Sequence, residues 1–282
     1  MKARDLVLSG AALGAAVAAA YATLVEPRWL ETTHTRIHLR HLPAALEGLR
    51  VALLTDFHAG GPGSLRRVRA AVRRAMAARP DLVALSGDFA ADDAPGFDPV
   101  LDALAGLAAP LGVYAVPGNH DHVVGIDRWR AQLDARPGIM GLLNRAVILV
   151  VRGARLCIAG VDDYYEGEPR LDFFPPPEAR DLTILLAHGP DQAERLRRGD
   201  DAVDLVLSGH THGGQVRLPL VGAPLRSARN PHLYDEGLRR RPWTQVYVSR
   251  GVGTVHLPIR FGARPEVSIL DLTARPRPPR LR

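Results

Sequence analysis

The stretch "VLSGHTHGGQ", residues 206–215, ends an aliphatic run with two histidines two positions apart. Histidine is not among the residues that favour a tight turn, so the pair directs attention to the ends of the other apolar runs. Four of them also carry residues able to bind a metal ion. "TDFH" offers Asp56 and His58, "SGD" offers Asp88, "PGNHD" offers Asn119, His120 and Asp121, and "AHGPD" offers His188. In extended chain, residues i and i+2 point to one side. Asp56 with His58, and His210 with His212, can therefore each grip an ion. Imidazoles, carboxylates and one amide suit Mn²⁺, Fe²⁺ or Zn²⁺. Asp56, His58, Asp88, Asn119, His188, His210 and His212 exceed what one tetrahedral ion takes, whereas two ions sharing a carboxylate would use them all. The single cysteine, Cys157 in "ARLCIAGV", excludes a thiolate-rich zinc site and an internal disulfide. Alone, His188 reads as a core histidine and Asp56 or Asp88 as a turn or cap residue. The agreement of five run ends selects the metal reading.

The elements that must position these residues follow a strand–turn–helix rhythm. "HTRIHLRHL" (34–42) alternates like a half-exposed strand, and buried strands are predicted over 49–55, 81–87, 111–119, 182–188, 203–210, 244–251 and 265–273. "AVILVVRGARLCIAGV" reads as two strands around an Arg-Gly turn. Helices are predicted after Ser64 as cap, with Leu65, Val68, Val72, Ala75 and Met76 on one face, and near 98–108, 126–133 and 190–197. In such α/β sheets ligands gather at the carboxyl ends of strands. Gly87, Gly118 and Gly209 each stand one residue before a candidate ligand, where the backbone must turn and approach closely.

With 282 residues, 46% hydrophobic and 23% charged, the chain is long enough for one large domain, expected over 31–273. Its net charge of +6 is spread over scattered arginines. That reads as a solvated surface rather than a nucleic-acid patch, so no nucleic acid is expected, and the charge equally suits an anionic substrate or membrane. Residues 6–25, "LVLSGAALGAAVAAAYATLV", carry no charge and are long enough to cross a bilayer as a helix. Residues 1–30 are thus expected to be a membrane anchor or signal segment, with the catalytic domain outside the cytoplasm and the cytoplasmic face as the alternative. The tail 274–282 is basic and proline-rich and is expected to be flexible.

The ordered set D-x-H, G-D, G-N-H-D, H and G-H-x-H, from Asp56 to His212, resembles the calcineurin-like metallophosphoesterases. "VEPRWLETTHTRIHL" and "VSRGVGTVHLPIRFGARPEVSILDL" look like the family's bacterial membrane-anchored or exported branch, which extends the resemblance over nearly the whole chain. It implies an α/β fold, a four-layer α/β/β/α sandwich of two mixed sheets. Asp56, His58 and His212 would bind a first ion, Asn119, His188 and His210 a second, and Asp88 would bridge them. His120 would face the substrate, stabilising phosphoryl charge or protonating the leaving oxygen, with Asp121 as a candidate orienter. Two such ions clamp phosphoryl oxygens and generate a bridging hydroxide for in-line attack. "GDFAADDAPG" lacks the acidic-arginine signature of the protein-phosphatase relatives, leaving monoesterase, diesterase or pyrophosphatase activity.

Some relatives cleave the pyrophosphate of a UDP-linked diacylated glucosamine. With the N-terminal segment, this makes a lipid-linked or envelope phosphoester the expected substrate. A metallo-β-lactamase-like hydrolase would carry H-x-H-x-D-H early in the chain, which is absent. A non-catalytic scaffold would have lost ligands, and a nuclease reading rests on charge alone. "GVDDYYEGEPR" (160–170) reads as a structural turn, Arg260 and Arg264 as surface arginines, and His34, His38, His41, His122, His232 and His256 take no role.

Overall fold

The computed structural model describes residues 3–61, 63–196, 203–225 and 227–274; the basic tail expected at 274–282 lies outside them except for Ala274. The chain opens with α1 (Ala3–Ala20), which continues into a π turn at Tyr21–Val25 and a short turn at Glu26–Arg28. The uncharged run is thus divided: α1 takes in Asp5, and the last five residues fall in the π turn. No described helix is long and apolar enough to cross a membrane.

The elements that follow are β1 (Glu31–Leu39), β2 (Arg50–Leu54), α2 (Ser64–Ala77), β3 (Leu82–Ser86), α3 (Asp98–Leu104), β4 (Val113–Val116), α4 (Asn119–Val124), α5 (Ile126–Asp134) and β5 (Met140–Gly141). After them come β6 (Arg145–Val151), β7 (Ala154–Gly160), β8 (Leu182–Leu186), α6 (Gln192–Arg195), β9 (Leu205–Ser208), β10 (Gly237–Arg240), β11 (Gln245–Val248) and β12 (Glu266–Ala274). One sheet has the order β1-β12-β2-β3-β4-β5 and the other β10-β11-β9-β8-β7-β6. In the first, β2 to β5 run parallel and β12 is antiparallel to β2. In the second, β7, β8, β9 and β11 are parallel, with β6 and β10 antiparallel at the edges. Both sheets are therefore mixed.

Strand alternation builds the layers. Val51, Leu53, Leu82 and Ala84 face Ile158, Ile184, Leu186, Leu205 and Leu207 across the gap between the sheets. Their neighbours Ala52, Leu54, Val83 and Leu85 face the other way, onto Val68, Ala71, Val72, Val100, Leu101 and Trp129 of α2, α3 and α5. The outer face of the second sheet, with Cys157, Leu185, Val206 and Val248, is covered by Ala193, Leu196 and Tyr234. Among the described residues this fourth layer is mostly loop, with only the four-residue α6 as helix, so it is thinner than the expected helical layer.

Several local expectations shift. β1 lies three residues earlier than the alternating run, because Arg40 and His41 already turn. Ser64 is the first helical residue rather than the cap, which is Gly63; its hydroxyl instead donates to the Gly61 carbonyl. The helix expected over 98–108 ends at Leu104. Asn119 opens α4, and β5 and β10, too short or too polar to show in the sequence pattern, complete the sheets. The Arg152-Gly153 turn between β6 and β7 is as expected, both residues having positive φ.

Candidate metal centre

The parallel strands of both sheets point their carboxyl ends at one edge of the sandwich. β2 leads to Asp56 and His58, β3 to Asp88 and β4 to Asn119 and His120 from one sheet; β8 leads to His188 and β9 to His210 and His212 from the other. Main-chain bonds lace these ends together: Asp56 N donates to Gly87 O, Phe57 N to Asp88 O, and Gly209 N to His188 O. Asp56, His58, Asp88, His210 and His212 all adopt positive φ, between 42° and 70°. Left-handed backbone outside glycine costs of order 1–3 kcal/mol per residue and persists where surrounding structure enforces it, characteristically at functional sites. The approach is close as well. A Cβ on Gly209 would stand 2.2 Å from an Asp56 carboxylate oxygen, and one on Gly118 2.2 Å from Asp88 Oδ1.

The side chains converge. His58 Nε2 lies 3.0 Å from His212 Nε2, and His212 Nε2 lies 3.3 Å from Asp56 Oδ1. Asp88 Oδ2 is 3.5 Å from His58 Nε2 and 3.1 Å from His188 Nε2. His210 Nδ1 sits 3.0 Å from Asn119 Oδ1 and 3.3 Å from His188 Nε2. Among the described residues, three overlapping sets could hold an ion: Asp56, His58 and His212; His58, Asp88 and His120; Asp56, Asp88 and His188. All seven sequence-predicted ligands thus meet, with His120 beside them.

Electrostatics fit a cation-binding donor set. Burial pushes His58 down to about 4 and His210 down to about 3, and it holds His212 well below the usual imidazole value. These rings keep their lone pairs. Burial likewise pushes Asp56 up to about 6. For Asp88 and His188 burial is outweighed by their mutual attraction, which holds the carboxyl below its usual range and the imidazole well above its own. His188 Nδ1 donates to the Ser86 carbonyl at 2.7 Å, which aims Nε2 into the centre. Imidazole nitrogens, carboxylates and an amide oxygen crowded at ligand–ligand distances are the composition that borderline divalent ions select, so the residues present fit such ions.

The supporting shell was less visible in the sequence. Asp92, not Asp121, contacts His120 Nδ1. Although burial opposes it, Asp88 and Asp92 raise the His120 pKa. Asp121 accepts from the backbone N–H of Asp88, Phe89 and Gly118 at 2.8–2.9 Å, tying two loops rather than orienting His120. Arg260 is no surface arginine. It is fully buried and donates to the carbonyls of Arg250, Gly253 and Ala263, with Nη2 3.2 Å from His212 Nδ1. Burial lowers its pKa to about 9.

The 160–170 loop is a turn, as read: Asp163 accepts from Tyr165 N and Glu166 N. It also carries Tyr165, whose ring stacks on His210 at 4.2 Å between centroids while its hydroxyl donates to Asp191. His122 pairs with Asp162 at 2.7 Å, and His256 stands 6.1 Å from His120 between ring centroids. No sequence spacing links these partners, since each pair joins segments far apart in the chain.

The centre opens into a cavity of about 470 Å³. One wall is polar, with Asp88, Asn119, His120, His210 and His212; the other carries Val216, Pro224, Leu225, Val255, Leu257 and Ile259. Gln215, itself in the lining, ties the two loops together, its amide accepting from Val255 N at 2.9 Å and donating to Val255 O at 3.0 Å.

Comparison with known proteins agrees with this geometry. Residues 49–214 match the family model described as calcineurin-like phosphoesterase. The chain is 32% identical over 269 residues to an uncharacterized metallophosphoesterase, YkuE, of Bacillus subtilis, covering 94% of this chain and 93% of that protein. It is 32% identical over 274 residues to the phosphodiesterase YaeI of Escherichia coli, covering 95% and 98%. A bovine transmembrane protein with metallophosphoesterase domain is 31% identical over 269 residues, covering 89% of this chain and 58% of that one.

Proposed function

Since this chain belongs to the calcineurin-like phosphoesterase family and is a metal-dependent phosphoester hydrolase, we propose that it works with two divalent ions, Mn²⁺, Fe²⁺ or Zn²⁺, held by the seven converging side chains. Asp56, His58 and His212 hold one, Asn119, His188 and His210 the other, and Asp88 serves both. The observation that carries this reading is the Asp88 carboxylate, whose Oδ2 stands 3.5 Å from His58 Nε2 of one group and 3.1 Å from His188 Nε2 of the other. Two ions so held supply charge for the phosphoryl oxygens and lower the pKa of a water nucleophile. The chain's own residues do the rest. His120, half-buried with Asp92 behind it and its pKa raised, keeps a proton for the departing oxygen. His188 and His210 are held in orientation by Ser86 O and the Tyr165 ring. The apolar wall keeps one side of the cavity dry.

The reaction is that of a diesterase or pyrophosphatase, in keeping with a phosphodiesterase among the relatives. The substrate is a lipid-linked or envelope phosphoester, and residues 1–30 anchor the chain in a membrane with the 31–273 domain outside the cytoplasm. The supports are the uncharged run 6–25 and the exposure of the described α1 side chains from Ser9 to Ala20. Relatives named as transmembrane proteins add to them. The test uses the full chain in detergent, stripped of metal and reloaded with Mn²⁺. Hydrolysis of bis-p-nitrophenyl phosphate and bound metal are measured for the parent and His210→Ala. Two ions per chain, with turnover lost in the variant, are expected; a parent that binds one ion or none sinks the two-ion reading.

A further inference from the structure

Around the mouth of the cavity the surface is apolar where solvent exposure should make it polar. Leu220 is 109% exposed, Leu225 81%, Val221 68% and Leu257 60%. Leu225 and Leu257 also line the cavity, and Leu220 and Val221 stand on the turn that connects Val216 to Leu225, two residues of its lining. Leu218 and Gly222 pair across a tight turn, with bonds of 2.9 Å in both directions, and Leu220 at its tip has φ 65°. A water-exposed left-handed position favours Gly, Asn or Asp. Neither burial nor backbone preference accounts for leucine there, but contact with an apolar phase does.

The same rim is tied to the end of the N-terminal helix. Arg260 N donates to Ala22 O at 2.9 Å, and the Tyr21 ring meets Phe261 edge-on at 6.2 Å. Arg217 N in turn donates to Phe261 O at 2.6 Å, and a second cavity is lined jointly by Tyr21, Phe261, Leu218 and Pro219. Ala22 lies three residues before the end of the uncharged run 6–25. At about 1.5 Å per residue, the rim loop is fixed roughly one helical turn from where that run would leave the hydrocarbon. Trp29, half exposed under the Arg264 guanidinium at 3.8 Å, adds the aromatic–basic pairing found at headgroup level.

We propose that this rim, the Leu218–Gly222 turn with Leu225 and Leu257, is a bilayer-docking surface that inserts into the interface of the membrane holding α1 and opens the metal-site cavity onto the lipid headgroups. The substrate, on the phosphoesterase reading above, is an amphiphilic phosphoester entering from that leaflet, its apolar part along Val216, Val255 and Ile259 and its phosphate at the histidines. The occupant is lipid rather than a second copy because the rim loop is bonded through Phe261 and Arg260 to the end of the uncharged helix, and because an arginine-rich chain of net charge +6 suits an anionic surface.

Cys157 is fully buried, so an introduced surface cysteine can be labelled selectively. Leu220→Cys and Val221→Cys are prepared in the full chain, with Val150→Cys, 73% exposed on the distant edge strand β6, as reference. Each carries an environment-sensitive fluorophore and is reconstituted into phosphatidylglycerol–phosphatidylethanolamine vesicles. The rim probes are expected to shift to the blue, to be quenched by nitroxide lipids, and to resist iodide severalfold better than the Val150→Cys probe. Quenching by iodide equal to that reference, with no effect of nitroxide lipids, overturns the proposal. So does a shift that tracks protein-to-lipid ratio without nitroxide quenching, which assigns the rim to a second copy.

In parallel, a Leu220→Glu, Val221→Glu double variant should keep bis-p-nitrophenyl phosphate turnover yet lose severalfold on vesicle-borne phosphatidyl-p-nitrophenol; equal retention of both overturns substrate entry from the leaflet. A parent inactive on the soluble ester breaks the phosphoesterase reading alone, because the quenching result needs no catalysis.

Discussion

Two buried polar clusters share the loop that follows β11, and they are built on opposite terms. Around Glu266, donors match acceptors: its carboxylate accepts from Thr33 Oγ1 at 2.7 Å, Tyr247 OH at 2.8 Å, Ser268 Oγ at 2.6 Å and Arg250 Nε at 3.0 Å. Arg250 also reaches Glu31 at 2.8 Å. Burial alone would raise the Glu266 pKa, but Arg250 and the hydroxyls outweigh it and hold the carboxyl below its usual value. One turn of loop away, Gly253 N donates to Asp56 O at 2.6 Å. There the second cluster crowds imidazole nitrogens against each other and against carboxylates, on backbone strained at five residues. The first cluster is closed and stabilises the fold; the second is left open to cations. Burial by itself therefore says little about whether a polar group serves stability or chemistry; what separates the two is whether donors and acceptors balance.

The comparison can be broken at its strongest point by Asp88→Asn. Removing the carboxylate that both ligand groups share should lower kcat/KM for bis-p-nitrophenyl phosphate by roughly 10³-fold or more, since several kcal/mol of transition-state stabilisation depend on the ions. Bound metal per folded chain should fall with it. Glu266→Ala should do the reverse. Leaving Arg250 without its buried partner should cost about 3 kcal/mol in urea unfolding, with metal content per folded chain unchanged; parallel loss of metal would show that the clusters are not independent.

Chelation sharpens the contrast from the other side. At free Mn²⁺ about 100-fold above its dissociation constant, the parent should gain about 2.7 kcal/mol over the stripped protein, and Asp88→Asn should gain much less. The closed cluster contributes its own pH dependence. Because the folded pKa of Glu266 is depressed, its contribution is fully present above the ordinary carboxylate value of about 4.3 and is lost as pH falls through the folded one. Acid unfolding of Glu266→Gln should therefore be less steep than the parent's in that range. The smallest effect is expected at the support: Tyr165→Leu, which removes the ring stacked on His210, should lower kcat/KM about tenfold with stability little changed.

The sequence alone determined the strand runs, the candidate ligand residues and the order of the motifs. These are local properties: aliphatic runs, glycines before turns and the two-residue spacing of Asp56-x-His58 and His210-x-His212 are written in neighbouring positions. Two layers of strands packed face to face also followed from the resemblance. Elements without a local signature were missed. β5 is two residues long, β10 is polar, and α4 begins on residues that read equally as a turn.

Tertiary structure alone decided which residues answer to which. His58 meets His212 across 154 positions, and Asp92 rather than Asp121 stands behind His120. Arg260, read as a surface residue, closes over His212 from within, because four carbonyls of one loop and the His212 backbone turn inward to meet it. The loops that carry the exposed Leu220 and Leu257 are likewise joined only in three dimensions, stapled by Gln215 and tied to the helix end at Ala22. Chain neighbours fix what a residue can do, but partners contributed by separate strands and loops exist only once the sheets have packed.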